Sequence, residues 1–520
     1  MVSTNPYLDE IRVNLPRLLA LFDADRTSVS YGMGDRYHWA WGLIDFPNGT
    51  FQGATHGIAR LWRAGLWPYP TAPERLLQRI DALITATSRI CRKDGSLEEA
   101  FPFEGSYCVT ALVAFDLLCT VDLLQPEISP ELRSRWLAAI EPLIDYLIVA
   151  DETHALISNH LATAVAALSR WHACTAAADA ERKALHLLQR ILEHQSPEGW
   201  FREYEGADPG YQSLCTYYLA DVHRLRPDWL LMEPLARSVR FLQFFAHPDG
   251  SFGGLYGSRA TRFYYPAGVM ALAEEIPEAA SLARCMEQSI AARHTVTLSA
   301  MDEPNLVPMF NAYAWAAALY RPAASAVAIA APASRSPDPL RRYFAGAGLL
   351  IDRGPRHYTI ISVHKGGVVY HFADQQLSVL DAGVVVRQRT GRLGSSQAYN
   401  RGNHVRVAED GLWVTATVTA MPKQLPGPFQ FLVLRLLGLG VFRVRVLRKW
   451  TKQWLVRLLI TRQERWRSSN ERRIRFGHDL QITDQLRLGP GDGRMDQPGP
   501  FVPIHMASQG YWQWQDELCS

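Results

Sequence analysis

QSPEGWFREYEGADPGYQSLCTYYLADV, residues Gln195–Val222, is the stretch on which the fold of this 520-residue chain turns. It opens on an acidic–glycine turn, PEGW. It then runs through a polar segment dense in acids, tyrosines and arginine, and closes as the apolar-periodic start of a helix. A helical scaffold carries its chemistry on a loop of this kind, held by helices at both ends. Working outward, the same flavour of turn recurs as KDGS at Lys93–Ser96 and PDGS at Pro248–Ser251. The last two turns lie about fifty residues apart and the first about a hundred before the second, roughly one helical hairpin per fifty residues. Between them, apolar residues recur at three- and four-residue spacing in Leu76–Ile90, Tyr107–Leu124, Leu132–Ile148, Leu156–Trp171, Ala184–His194, Leu230–Phe245, Ala267–Ala273 and Ala280–Ala292. The fold class expected for residues 1–320 is therefore an (α/α) toroid, a ring of helical hairpins with corresponding loops on one face.

Arg321–Leu340, rich in Ala, Pro and Ser, reads as an interdomain linker over residues 321–340. Beyond it the period becomes two: AGLLIDR, HYTIISVH, GVVYHFA, GVVVRQR, LWVTATVTA and LQITDQLRL are short β-branched runs between turn residues. Residues 341–520 are expected to form an antiparallel β-sandwich. Within them, residues 431–475 hold thirteen Lys/Arg against Glu464 and Glu471. The expectation is a solvated sheet face, with an anionic polysaccharide or peripheral membrane contact as the sharper alternative.

The totals exclude several classes. A composition of 48% hydrophobic and 20% charged residues describes a globular protein, and a net charge of +3 gives no argument for nucleic acid. Seven scattered cysteines with no CxxC pair favour buried thiols in a reducing compartment. The N-terminus lacks a signal-peptide pattern and no run of eighteen uncharged apolar residues occurs, so a cytoplasmic location is expected.

Candidate chemistry gathers in the loops. SNHLATA, Ser158–Ala164, puts Asn159 and His160 at a helix start. The Gln195–Val222 stretch offers Arg202, Tyr211 and Tyr217, and leaves Glu203, Glu205 and Asp208 without an assigned role. GDRYHWAW supplies Trp39 and Trp41, FPFEGSY supplies Glu104, and GSRATRFYYP supplies Arg259 and Arg262. Exposed aromatics stack on sugar rings and arginine grips carboxylates in a fork, so these clusters, if all aligned on one toroid face, would be a groove for an acidic glycan.

A helical toroid followed by a β-sandwich, with Asn159-His160 and then Tyr211 about fifty positions on, resembles the heparinase II/III-like and alginate-lyase-like polysaccharide lyases. HFADQQLSVLDAG, His371–Gly383, is similar to the strand pair opening that family's β domain, which adds His371 to the substrate-binding candidates. The resemblance implies β-elimination on a uronic-acid-containing poly- or oligosaccharide. Asn159, with or without His160, would bind the uronate carboxylate, Tyr211, His160 or both would abstract the C5 proton, and Tyr211 would protonate the leaving oxygen. Tyr211 against Tyr217 stays open as the reacting tyrosine. No cofactor is needed. A metal ion in the β domain is left open, although His364 and His371, separated by KGGVVY, match no recognised ligand spacing. A uronyl C5-epimerase and a non-catalytic glycan-binding or assembly protein are the alternatives on the same fold.

Overall fold

The computed structural model describes residues 5–100, 102–152, 156–322, 331–421, 427–444, 447 and 464–496. The helical part runs α1 (Pro6–Leu19), the single turn α2 (Arg36–Trp39), α3 (Ala54–Arg63), α4 (Pro73–Ile90), α5 (Tyr107–Leu123), α6 (Pro130–Val149) and α7 (Ser158–Thr175). It continues with α8 (Ala178–Glu193), α9 (Pro209–Leu225), α10 (Met232–Leu242), α11 (Pro266–Ala271), α12 (Pro277–Ala291) and α13 (Glu303–Leu319). α3, α5, α7, α9, α11 and α13 each pack against the next, and α13 returns to α3, so the inner ring closes. α4, α6, α8, α10 and α12 lie outside it, with α1 against α13 as the sixth outer helix.

Sequence chemistry sorts the two rings. α5 is apolar and buried almost all round, as a helix between neighbours on every side must be. α8 buries a single stripe, Ala180, Ala184, Leu187, Leu188 and Ile191, and gives its other face to water. Inner-to-outer connections are short, two residues between α7 and α8. Outer-to-inner connections are long, such as residues 194–208 before α9. The long loops therefore collect at the N-terminal end of the inner helices.

The three acidic–glycine turns share one geometry. The fourth-residue amide donates to the first carbonyl (Gly95 to Arg92, Gly199 to Ser196, Gly250 to His247). The first amide donates to the fifth carbonyl (Arg92 to Ser96, Ser196 to Trp200, His247 to Ser251). Each glycine has positive φ: 83°, 103° and 96°. A β-carbon at Gly95 or Gly199 would collide with the Pro142 or Arg237 carbonyl of the neighbouring outer helix, so the turn both reverses the chain and fixes hairpin spacing. Asp94 and Asp249 fold back onto Ser96 and Ser251. Glu198, in the middle turn, instead accepts the amides of Gly346 (2.9 Å) and Ala347 (3.0 Å) and ties the toroid to the β domain.

Strands β1 (Leu340–Phe344), β2 (Leu349–Arg353), β3 (His357–Ser362), β4 (Val368–Ala373) and β5 (Gln376–Asp381) form an antiparallel meander. A second antiparallel sheet has the order β11 (Gln481–Arg487), β10 (Arg465–Arg475), β9 (Gly411–Ala420), β7 (Leu393–Ser395), β6 (Val385–Gln388) and β12 (Asp492–Met495), with β8 (His404–Val407) also on β9. Leu350, Ile361 and Val369 of the first sheet pack on Leu412, Val414 and Ile474 of the second. The opposite face, with Ile351, Tyr358, Ile360, Tyr370 and Phe372, joins the toroid core. The first sheet is thus covered on both sides, which explains its near-continuous apolar runs.

Two expectations change in detail. Of the expected linker, residues 323–330 lie outside the described residues. Its later part is pinned to the toroid: the Ser334 hydroxyl donates to the Ala246 carbonyl and the Arg335 guanidinium to that of His247 (3.0 Å). The basic segment is not one solvated sheet face. Its start belongs to a helix, α14 (Pro428–Leu439). Arg472 on β10 points between the sheets, buried, where Asp381 and Asp484 each accept from it at 2.7 Å. A buried guanidinium is tolerated only with such pairing. Residues 445–446 and 448–463 of that segment lie outside the described residues.

Candidate active site

The loops before α7, α9 and α11 interlock at the toroid rim. Ser158 donates through its amide (3.1 Å) and hydroxyl (2.7 Å) to the Arg202 carbonyl, which seats the start of α7 against the loop before α9. One residue on, Asn159 meets Glu203. Its backbone amide donates to Oε1 and its side-chain amide to both carboxylate oxygens, each at 2.9 Å. Both side chains are buried. Burial pushes the Glu203 carboxyl up to about 7, against the opposing pull of Asn159, His160 and Arg259.

Asp208 caps α9 by accepting the Tyr211 amide (3.2 Å), and its second oxygen accepts the amide of Arg259 (3.0 Å) and the Thr261 amide. One buried carboxylate thereby holds the first turn of α9 against residues 259–261 and brings Tyr211 and Arg259 together. The Arg259 guanidinium lies 4.1 Å from the Tyr204 ring centroid and 5.8 Å from that of Tyr211. The Tyr211 ring meets Phe263 edge-on at 5.3 Å. Burial alone would lower Arg259, but Tyr211, Tyr204, Glu203 and Asp208 together raise it.

His160 keeps a fifth of its side chain open to solvent and shares a 2.8 Å hydrogen bond from Nδ1 with the buried Glu152 carboxylate. Burial disfavours its charged form, yet the Cys108 thiol and Glu152 raise its pKa well above the ordinary value. The pairing fixes Nδ1 on the carboxylate, and the ring has the Cys108 thiol as a further hydrogen-bond partner.

The β domain supplies one wall. Lys365, in the β3–β4 turn, is buried and donates to the Gly257 carbonyl at 3.1 Å; burial lowers its pKa to about 8. Tyr399 shares a 3.1 Å hydrogen bond with His364, and a side chain at Gly206 would strike the Tyr399 hydroxyl.

Of the sequence candidates, Asn159 is bonded to Glu203, His160 and Arg259 act on that carboxylate through their charge, and Tyr211 stands beside Arg259. Arg202 borders them, its Nε donating to the Tyr204 carbonyl at 2.9 Å. The others lie elsewhere. Tyr217 is buried in the toroid core among Phe115, Tyr218, Tyr265 and Trp315. Arg262 is largely buried. Trp39 turns inward to donate to the Leu21 carbonyl (2.8 Å), whereas Trp41 is 64% exposed. Glu104 accepts the Ala100 amide (2.8 Å) within its own loop. His371 is buried between Thr359 Oγ1 (2.8 Å) and the His478 carbonyl (3.0 Å), stacked on His357. Among the described residues no group of three His, Cys, Asp or Glu is arranged to hold a metal ion.

Glu152, Cys108 and Lys365 enter the site without having been singled out by sequence, and Glu203, which had no assigned role, enters it as the partner of Asn159. Glu203 stands in the loop read as reactive, but nothing local marks it as Asn159's partner 44 residues away.

Among solved structures, the chain is similar to the chondroitin AC lyase of Streptomyces coelicolor A3 in complex with chondroitin sulphate. The TM-score is 0.50 at 13% identity, covering 81% of this chain and 67% of that one. Heparinase III matches with a TM-score of 0.46 at 10% identity over 92% of this chain and 77% of that one. Cellobiose 2-epimerase from Bacillus thermoamylovorans B4167 matches at 0.44 and 10%, over 61% and 99%. No family model and no curated protein sequence matches. At 13% identity the first likeness is one of fold, a helical toroid followed by antiparallel sheets.

Proposed function

We propose that this chain cleaves a uronic-acid-containing glycan by β-elimination. The observation that carries the reading is the cluster at the rim of the toroid in which Asn159 is bonded to the buried Glu203, His160 and Arg259 act on the same carboxylate through their charge, and Arg259 lies beside Tyr211.

The C5 proton of a uronate resists removal because the adjacent carboxylate already carries negative charge. Elimination therefore needs a donor at that carboxylate, a base at C5 and an acid at the leaving oxygen. The Asn159 amide is the neutral donor. A uronate carboxylate reaching it competes with Glu203, so binding favours Glu203 protonated, and its pKa of about 7 makes that exchange accessible near neutrality. Arg259 supplies positive charge beside both Tyr211 and the enolate-like state. Tyr211 takes the C5 proton, the C4–O bond breaks as the C4–C5 double bond forms, and Tyr211 returns the proton to the departing oxygen. His160, held by Glu152 and the Cys108 thiol, is the second group able to move a proton.

That second group favours a runner-up, a uronyl C5-epimerase, because inversion needs proton transfer on two faces. Supplying acidic glycans separates the readings. A lyase produces an ultraviolet-absorbing unsaturated uronyl end. An epimerase exchanges solvent deuterium into the glycan without cleavage. Tyr211→Phe and His160→Ala are each expected to lower turnover by about 10²–10⁴-fold. Full activity in both variants removes the site assignment, and binding with neither product nor exchange leaves a glycan-binding protein.

A further inference from the structure

The chain inserts α14 between β9 and β10, and this helix breaks the usual rule for water. Its sequence, PFQFLVLRLLGL, is apolar nearly all round, a pattern that belongs in a core or a bilayer. Yet Phe429 is 74% exposed, and Phe431, Leu432 and Leu436 are each more than half exposed. Monomeric proteins rarely leave such a contiguous patch open. The charge in this part of the sequence has one sign: residues 428–463 contain eight Lys/Arg and no Asp or Glu. The helix is anchored at the toroid rim. Arg435 reaches Asp45 at 4.0 Å, and a β-carbon on Gly438 would lie 3.7 Å from Pro102. Asp45 belongs to the loop after α2, which exposes Trp41 and Leu43 next to Tyr37 of that helix. Aromatic and aliphatic side chains from two elements thus stand out from the same end of the toroid, and the sequence that continues from α14 is rich in Lys and Arg.

We infer that this surface docks on an anionic lipid bilayer, with α14 lying in the interface plane. Twelve residues of helix span about 18 Å, short of the roughly 30 Å hydrocarbon core, so α14 lies on the membrane and does not cross it. Phe429, Phe431, Leu432 and Leu436 enter the headgroup–acyl boundary, Trp41 sits at the level an indole prefers, and the basic residues meet lipid phosphates. Charge decides among occupants. A second copy of this chain would set the same positive segment against itself, whereas an anionic bilayer complements it. The inference is independent of the proposed catalysis.

The test is flotation of the full chain with vesicles of phosphatidylcholine containing phosphatidylglycerol, against phosphatidylcholine alone. The chain is expected to float with the anionic vesicles and more than about tenfold less with neutral ones, and to be released in part by high salt. A triple variant, Phe429→Ser, Phe431→Ser and Leu436→Ser, is expected to lose at least about tenfold in partitioning with an unchanged melting temperature, since these side chains are already in water. Failure to float with anionic vesicles overturns the inference, as does equal flotation of the triple variant. Sedimentation as a dimer that the triple variant converts to a monomer overturns it in favour of a second copy.

Discussion

Glu203→Gln is the perturbation that tests the candidate site most directly. Glu203 is 1% exposed, and burial lifts its carboxyl from 4.5 to about 7. The fold therefore prefers the protonated form. The stability this group contributes is full below the unfolded pKa near 4.5 and is lost as pH rises through about 7, where the fold must ionise a buried carboxyl. At 1.36 kcal/mol per pH unit between those two values, the loss is about 3 kcal/mol. Glutamine keeps the neutral shape and an acceptor for Asn159 but cannot ionise. Urea unfolding of both proteins at intervals from pH 4 to 8.5 gives the comparison, and subtracting the two curves cancels the titrating groups that do not interact with Glu203. The difference is expected to favour the variant by about 3 kcal/mol more at pH 8.5 than at pH 4. Parallel curves would refute the claim that Glu203 is held as a buried acid. Glycan affinity adds an independent reading: it should fall as pH rises through about 7 in the native chain and stay flat in the variant.

Two further predictions concern the frame. Arg170 donates to both oxygens of the buried Asp221 (2.9 and 2.6 Å), so Arg170→Leu strands a carboxylate and should cost about 3–5 kcal/mol in denaturant unfolding. Gly199→Ala places a methyl against the Arg237 carbonyl at a φ of +103° and should cost about 1–3 kcal/mol or more, whereas Gly391→Ala, also at positive φ but facing open space, should cost less.

Much of the frame is legible in local pattern. The expected helices Tyr107–Leu124 and Leu132–Ile148 are found as Tyr107–Leu123 and Pro130–Val149, and HYTIISVH and LWVTATVTA are both strands. The acidic–glycine turns mark the hairpin repeat because each glycine takes a positive φ in the same hydrogen-bonded turn. The basic segment misleads, since alternating Arg and apolar residues suit an exposed sheet face, an amphipathic helix or a strand with a buried, paired arginine such as Arg472.

The sequence by itself determined the periodicities, and so which faces must be covered: helices closing on one another up to Leu319, sheets beyond Leu340, and loops dense in Asn, His, Tyr and Arg between the helices. Only the tertiary structure decided which polar groups lose their water. Asn159 meets Glu203, His160 meets Glu152, and Tyr211 lies beside Arg259 because three loops lock together at one rim. Periodicity records which side of an element is apolar. The pKa of a carboxyl depends on what long-range packing places around it, and local sequence carries no trace of that.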